Sequence, residues 1–245
     1  RPTNPEIDYC RPNLNTAIRD LKPEVIIPLG GVAVRSLVAP MWREDVGPIY
    51  VWVGWQIPDQ TLNSWIAPVW HPTDLLRIED KPDYKTMLML WQRHLKEAVS
   101  HGGVPYPNGV PDYGAEVQIV TDAQEAAVLL DKIPRDSGFL TFDYESDRLK
   151  PDHPASRLVC AGVSWGPDAS KPVVTLAYPW LGPAIEAHRR LMMSPVPKAA
   201  HNLQHEERWT IAKVGTRVRN WRWCTQQVAH VADNRQGITS LKFQA

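Results

Sequence analysis

No stretch of this 245-residue chain approaches the roughly 18–20 consecutive apolar residues that cross a bilayer as a helix. No basic-then-apolar leader opens it. A membrane role is therefore not expected. Cysteine is scarce: Cys10, Cys160 and Cys224 are odd in number and far apart, which excludes a disulfide framework and makes a reducing compartment the default. Zinc-type Cys/His spacing, a Ser-His-Asp order and a Walker motif are all missing. Neither charge is in excess, with 27 Lys+Arg against 27 Asp+Glu, so a uniformly basic nucleic-acid coat and an acidic tail are excluded. There is no internal repeat. Phe occurs only 3 times, against 11 Trp and 23 Pro. An initiator Met is missing too: the chain opens Arg1-Pro-Thr-Asn-Pro5 and closes Leu241-Lys-Phe-Gln-Ala245 within an apolar helical pattern, and a segment of a longer protein is expected.

What is present fits a globular protein, with 43% hydrophobic and 22% charged residues. The length accommodates one large domain or two smaller ones. Leu14, Ala17, Ile18 and Leu21 repeat at helical spacing, and Pro23 ends the pattern. Val25–Leu29 reads as a buried parallel strand, and Gly30-Gly31 turns the chain into a helix over 32–38. Ile49–Val53 has a β-like composition, Trp65–Trp70 reads as a strand, and Tyr84, Leu88, Trp91 and Leu95 form a helical stripe. Segment 101–114 has Gly or Pro at seven of its fourteen positions and is the best linker candidate. The expected division is 1–102, a linker over 103–114, and 115–245. In the second part, Val117–Val120, Phe139–Asp143, Leu158–Ser164 and Val173–Ala177 read as strands. Thr121 with Gln124 reads as a capping box, and helices are expected near 184–193, 204–214 and 225–232. The alternation predicts two α/β domains.

Asp143 and Glu145 end an apolar strand two residues apart, so both carboxylates share a face. Like charges so close repel unless a cation lies between them, and carboxylate oxygens suit Mg²⁺ or Mn²⁺. A strand running into a polar turn is the bland alternative. About 57 residues after Glu145, Asn202 stands at an N-cap position, with Glu206 one turn on along the same side. This Asp-x-Glu strand followed by His201-Asn202-x-x-x-Glu206-x-x-Trp209 resembles the first two motifs of proofreading 3′–5′ exonucleases, in particular those of phage-type family A DNA polymerases. The resemblance covers about 115–245, where Asn234–Phe243 also matches, and it implies a ribonuclease H-like fold.

It further implies two Mg²⁺ or Mn²⁺ ions held by Asp143, Glu145 and Glu206, with DNA 3′ ends, single-stranded or frayed, as substrate. Asn202 and Arg208 would touch the strand, and a polymerase module would follow in the parent or act in trans. The third family motif, with the last carboxylate, would lie beyond Ala245. Cys224 stands where phage-type relatives usually have a non-ligating Asp and is read as structural.

In the first half, Trp70-His71-Pro72-Thr73-Asp-Leu75-Leu76 follows the strand. With Glu6, Cys10, and Lys22-Pro-x-Val-Ile-Ile-Pro-Leu29-Gly30, it is similar to the C-terminal half of the uracil-DNA glycosylase superfamily, family-4-like branch, over roughly 1–100. That fold is a three-layer α/β sandwich, and the family's first motif would lie before Arg1. The resemblance gives His71 the role of donor to the uracil carbonyl, and Leu75 or Leu76 that of a wedge in the duplex. Cys10 falls where a 4Fe–4S cluster is ligated; it is either an orphan ligand, completed only in the full parent, or a plain buried thiol. A structural His71 is the bland alternative.

The expected whole is a DNA replication or repair enzyme, a 3′–5′ exonuclease fused to a glycosylase-like half. Its setting would be the cytoplasm of a prokaryotic or phage-infected cell, and the isolated segment is expected to be inactive. An exonuclease with a catalytically dead glycosylase-like remnant, and a DNA-binding scaffold without catalysis, are the alternatives. The charge balance conceals opposed regions. Residues 112–152 hold 10 acidic and 4 basic side chains, net −6, and residues 187–222 hold 8 basic and 2 acidic, net +6. The first holds the candidate ligands and the second is expected to face phosphates.

Overall fold

A computed structural model describes residues 2–42, 45–134, 138–166 and 173–244. The chain is mixed α/β, with two sheets in two compact units, Arg1–Pro111 and Asp112–Ala245. Among the described residues no helix is long and apolar enough to cross a membrane.

In unit 1, helix α1 (Asn4–Leu21) starts where Glu6 accepts the Thr3 N–H at 2.7 Å and ends at left-handed Lys22, just before Pro23. Strand β1 (Val25–Ile26) leads to α2 (Gly31–Val38), and β2 (Ile57–Asp59) and β3 (Ser64–Ile66) follow. β3 is central, parallel to β1 and antiparallel to β2. Beyond the strands Leu29 still bridges Val69 in parallel, so the chain leaves both segments at the same end of the sheet. Gly30 and His71 stand there. Ile18, Leu37 and Ile66 form the small core. Helices α3 (Pro72–Leu76) and α4 (Tyr84–Ser100) complete the unit.

Ile49–Val53 is not extended. Ile49–Val51 forms a 3₁₀ turn, and Trp52 is buried with its indole N–H donating to Val46 O at 2.6 Å. Its apolar and β-branched residues suited a strand, but the tryptophan's need for a buried acceptor is met by a turn. Trp91 likewise donates to Trp70 O, at 2.9 Å. Both of these indoles are committed to packing.

In unit 2 six strands lie in the order β4 (Val117–Ile119), β7 (Val174–Pro179), β6 (Leu158–Gly166), β5 (Phe139–Ser146), β8 (Lys198–Ala200), β9 (Trp221–Cys224). β6 runs antiparallel to both β5 and β7, while β4 and β8 join β7 and β5 in parallel and β9 is parallel to β8. Helices α5 (Ala123–Lys132), α6 (Gly182–Met193) and α7 (Leu203–Trp209) contribute Leu130, Leu191 and Trp209 to a core with Leu140, Phe142 and Tyr144 of β5. Helices α8 (Thr225–Ala232) and α9 (Leu241–Gln244) follow. The cap of α5 is Asp122, which accepts the Glu125 N–H at 2.8 Å, one residue later than the Thr121–Gln124 reading. A carboxylate is the better acceptor at the positive end of a helix.

β5 is preceded by Gly138, which has φ +87° and would place a Cβ 2.5 Å from the Trp165 indole nitrogen. Only glycine lets the strand start there.

Candidate functional site

β5 alternates as its sequence demands. Leu140, Phe142 and Tyr144 are buried in the core, while Asp143 and Glu145 are exposed on the opposite face. β8 pairs with β5 at Leu140 and Thr141, and among the described residues the end of β5 has no strand beside it on that edge. The first turn of α7 takes that place. Glu206, 2% exposed, brings its carboxyl beside the main chain of Tyr144 and the carboxyl of Asp143, close enough for both to act on it.

The electrostatic result follows from burial and like charge. Burial first, then Asp143, then Glu145 push the Glu206 carboxyl up to about 8, although the Tyr144 N–H pulls it down. Among the described residues Glu206 Oε2 is buried without a hydrogen-bond partner. Two carboxyls so placed either share a proton or enclose a cation. The orphaned oxygen and the hard oxygen donors fit a divalent cation on the Asp143–Glu206 pair. Glu145 feels this pair electrostatically but stands off from it; among the described residues no three His, Cys, Asp or Glu side chains converge as a metal site. Asp143 also borders a hollow of about 320 Å³ lined by Thr141, Ser164, Thr175, His201 and Thr225.

Asn202 occupies the N-cap of α7, but in the left-handed conformation (φ 58°, ψ 58°) and with no cap bond from its side chain. Its amide is thus not used in capping. Arg208, expected to touch the strand, forms an exposed ion pair with Asp152. The basic stretch is also less available than its charge suggests. Lys198 is wholly buried, its ammonium donating to the carbonyls of Ser194, Val196 and Arg219 at 2.8–3.1 Å, and Arg190 pairs with Asp131. Cys224 is 7% exposed and its sulfur accepts the Leu203 N–H at 3.4 Å, a structural role at the start of α7.

In unit 1 His71 is the N-cap of α3, its Nδ1 accepting the Thr73 N–H at 3.2 Å and lying 2.6 Å from the Thr73 hydroxyl. A neutral ring so held carries its hydrogen on Nε2, the donor form. His71 packs against Gly30: a Cβ there would lie 2.9 Å from the His71 Cβ, at φ +85°. Gly30, His71, Thr73, Arg35 and Arg77 line a cleft of about 490 Å³. The two leucines differ. Leu75 is 6% exposed and belongs to the core, so it is no wedge, whereas Leu76 is 65% exposed. Cys10 is exposed, which overturns the buried-thiol alternative. It is also the only cysteine of unit 1, so the residues present do not fit a 4Fe–4S cluster, which needs four thiolates.

Sequence reasoning missed the polar chain under β5. Tyr144 Oη lies 2.8 Å from His188 Nε2 and 2.9 Å from Thr210 Oγ1, and Tyr178 Oη lies 2.5 Å from His188 Nδ1. One signal for it was present: His188 shares the apolar stripe of α6 with Ala184, Ala187 and Leu191.

A sequence profile of the uracil DNA glycosylase superfamily matches residues 1–94. No curated protein is recognisably similar in sequence to this chain. Several solved structures are similar, three of which follow. One is a nuclease in its apo form, with 14% identity over 50% of this chain and 56% of that one, TM-score 0.36. Another is Trypanosoma brucei RNase D in complex with RNA U12, with 12% identity over 47% and 39%, TM-score 0.37. The third is Brucella melitensis NrnC with bound Mg²⁺, with 14% identity over 51% and 58%, TM-score 0.35. The chain covers between 39% and 58% of the length of these structures.

Proposed function

We propose that unit 2 is a metal-dependent 3′–5′ exonuclease of the proofreading type that removes nucleoside monophosphates from DNA 3′ ends, joined to a glycosylase-like unit 1. The observation that carries the reading is the Asp143–Glu206 carboxyl pair, with its buried, unpartnered Glu206 Oε2. The motif resemblance over β5 and α7 supports it.

Asp143 and Glu206 would hold one Mg²⁺ or Mn²⁺, and Asp143 with Glu145 the second. Such cations, when bound, stabilise the charge on the attacking and leaving oxygens of a phosphoryl displacement. The chain's own residues do the rest. The main chain of Tyr144 favours the charged form of the Glu206 carboxyl. The hollow beside Asp143, with the hydroxyls of Thr141, Ser164 and Thr175, is sized to receive part of a terminal nucleotide. Asn202, its amide unused in capping, contacts the strand end.

For unit 1 the same proposal assigns uracil release. His71 Nε2–H donates to the uracil carbonyl as the glycosidic bond breaks, and Leu76 enters the stack the base has left. The profile match and the His71 tautomer support this part. The experiment for the nuclease is digestion of 5′-labelled single-stranded DNA by the full-length protein with Mg²⁺ or Mn²⁺, comparing wild type with Asp143→Ala. For the glycosylase it is release of free uracil, comparing wild type with His71→Ala.

A further inference from the structure

Four side chains and one main-chain carbonyl form a continuous hydrogen-bonded chain beneath the carboxylate strand: Tyr178 of β7, His188 of α6, Tyr144 of β5, Thr210, and the carbonyl of Glu206 in α7. All four side chains belong to residues no more than 5% exposed. The directions of the bonds follow from one fixed end. A carbonyl only accepts, so Thr210 gives its hydroxyl hydrogen to Glu206 O, at 2.8 Å. Thr210 Oγ1 must then accept from Tyr144 O–H, at 2.9 Å. Tyr144 Oη, its own hydrogen spent, must accept from His188 Nε2–H, at 2.8 Å. His188 Nδ1 then holds the lone pair and accepts from Tyr178 O–H, at 2.5 Å. The opposite polarity would leave the Tyr178 hydrogen buried with no other acceptor among the described residues.

We propose that His188 is a positioning residue, which in its neutral Nε2–H form ties the strand bearing Asp143 and Glu145 to the helix bearing Glu206 through this one-way chain. Tyr144 sits between the two carboxylates in sequence, and Thr210 follows Glu206 by one turn, so each link ends next to a carboxylate-bearing residue. His188 comes from a third element, α6, and reaches β7 on its other side through Tyr178. Burial holds the imidazole neutral, with a smaller push in the same direction from the Lys198 ammonium. The value of the arrangement to chemistry rests on the exonuclease reading; the arrangement itself does not.

The test uses the full chain in three forms: wild type, His188→Gln and His188→Leu. Gln can reproduce both links, its carbonyl accepting from Tyr178 and its amide donating to Tyr144. Tyr144→Phe, which keeps the ring, serves as a second lesion should the Leu variant not fold. Long-range ¹H–¹⁵N spectra of histidine-labelled protein should include a ring with unprotonated Nδ1 and protonated Nε2 whose signals disappear in His188→Gln. Amide exchange in 139–146 and 203–209 should accelerate roughly ten-fold or more in His188→Leu and Tyr144→Phe, the consequence of unsatisfied buried groups. In His188→Gln it should stay within about two-fold of wild type. An Nδ1–H or doubly protonated His188 overturns the proposal. So does exchange in which Gln behaves as Leu does, or in which neither lesion reaches both segments. Wild-type protein that digests no DNA overturns the exonuclease reading alone, and the spectra and exchange rates still decide this one.

Discussion

Glu206 and Asp143 meet carboxyl to carboxyl at the place where β8 ends beside β5, the first buried to 2% exposure and the second open to solvent. A folded chain holds such a pair only with a proton or a cation between the two groups.

The cation response should therefore depend on pH. The Glu206 carboxyl is raised to about 8 by burial first and by Asp143 next. A raised folded value means that the stability this group contributes is fully present below the ordinary carboxyl range, near 4.5, and is lost as pH rises through about 8. A divalent cation takes the place of the proton on Glu206 and restores what rising pH removes. Added Mn²⁺ should raise the melting temperature more at pH 8.5 than at pH 6. An equal or larger rise at pH 6 would count against a cation on this pair.

Glu206→Gln should separate stability from binding. The amide carries no charge to bury, so without added metal the variant should be more stable than wild type at pH 8, by about 1–3 kcal/mol. Its Mn²⁺ response should shrink to what Asp143 and Glu145 contribute. Urea denaturation with and without Mn²⁺ measures both; a destabilised variant with an undiminished Mn²⁺ response would contradict the placement of Glu206.

His188 should set an acid limit. Burial, with help from Lys198, pushes its imidazole down to about 3, so between 6.5 and 3 the unfolded chain takes up a proton that the folded chain refuses. Stability is lost as pH falls through that window, by up to about 1.4 kcal/mol for each pH unit from this group. His188→Gln should lose less stability than wild type between pH 7 and pH 5, as measured by urea midpoints. Parallel pH profiles would contradict the account of a buried neutral imidazole.

Gly30→Ala should damage the His71 cleft without touching His71. The new Cβ would meet the His71 Cβ at 2.9 Å on a backbone with φ +85°. If unit 1 releases uracil, excision should drop about ten-fold or more in Gly30→Ala and about a hundred-fold in His71→Ala. Normal excision in both variants would remove His71 from the chemistry, and none by the wild type would leave unit 1 without the proposed activity.

Lys198→Ala should destabilise the protein by about 3 kcal/mol or more, since it strips three carbonyls of a buried charged donor. A change below about 1 kcal/mol would show that these carbonyls find other partners.

Where one physical rule acted locally, the sequence was readable. The alternation of Leu140, Phe142 and Tyr144 with Thr141, Asp143 and Glu145 shows the faces of β5 directly, because strand geometry leaves no other choice. The pairing of Glu206 with β5 was only implied by motif spacing, since it depends on where β8 stops. Other features depend on distant partners and carry no local mark. Asp152 pairs with Arg208 from 56 residues away. Leu75 and Leu76 are adjacent and chemically identical, and only packing sends one into the core. The Tyr178–His188–Tyr144–Thr210 chain joins four elements, and a histidine on an apolar helix stripe was its one trace.

The measurement closest to the central claim is the fate of a 5′-labelled single-stranded DNA incubated with full-length protein and Mg²⁺ or Mn²⁺. Stepwise shortening from the 3′ end, stopped by chelation and reduced at least a hundred-fold in Asp143→Ala, is the predicted result. Shortening that proceeds unchanged in Asp143→Ala, or that ignores the chelator, would contradict it.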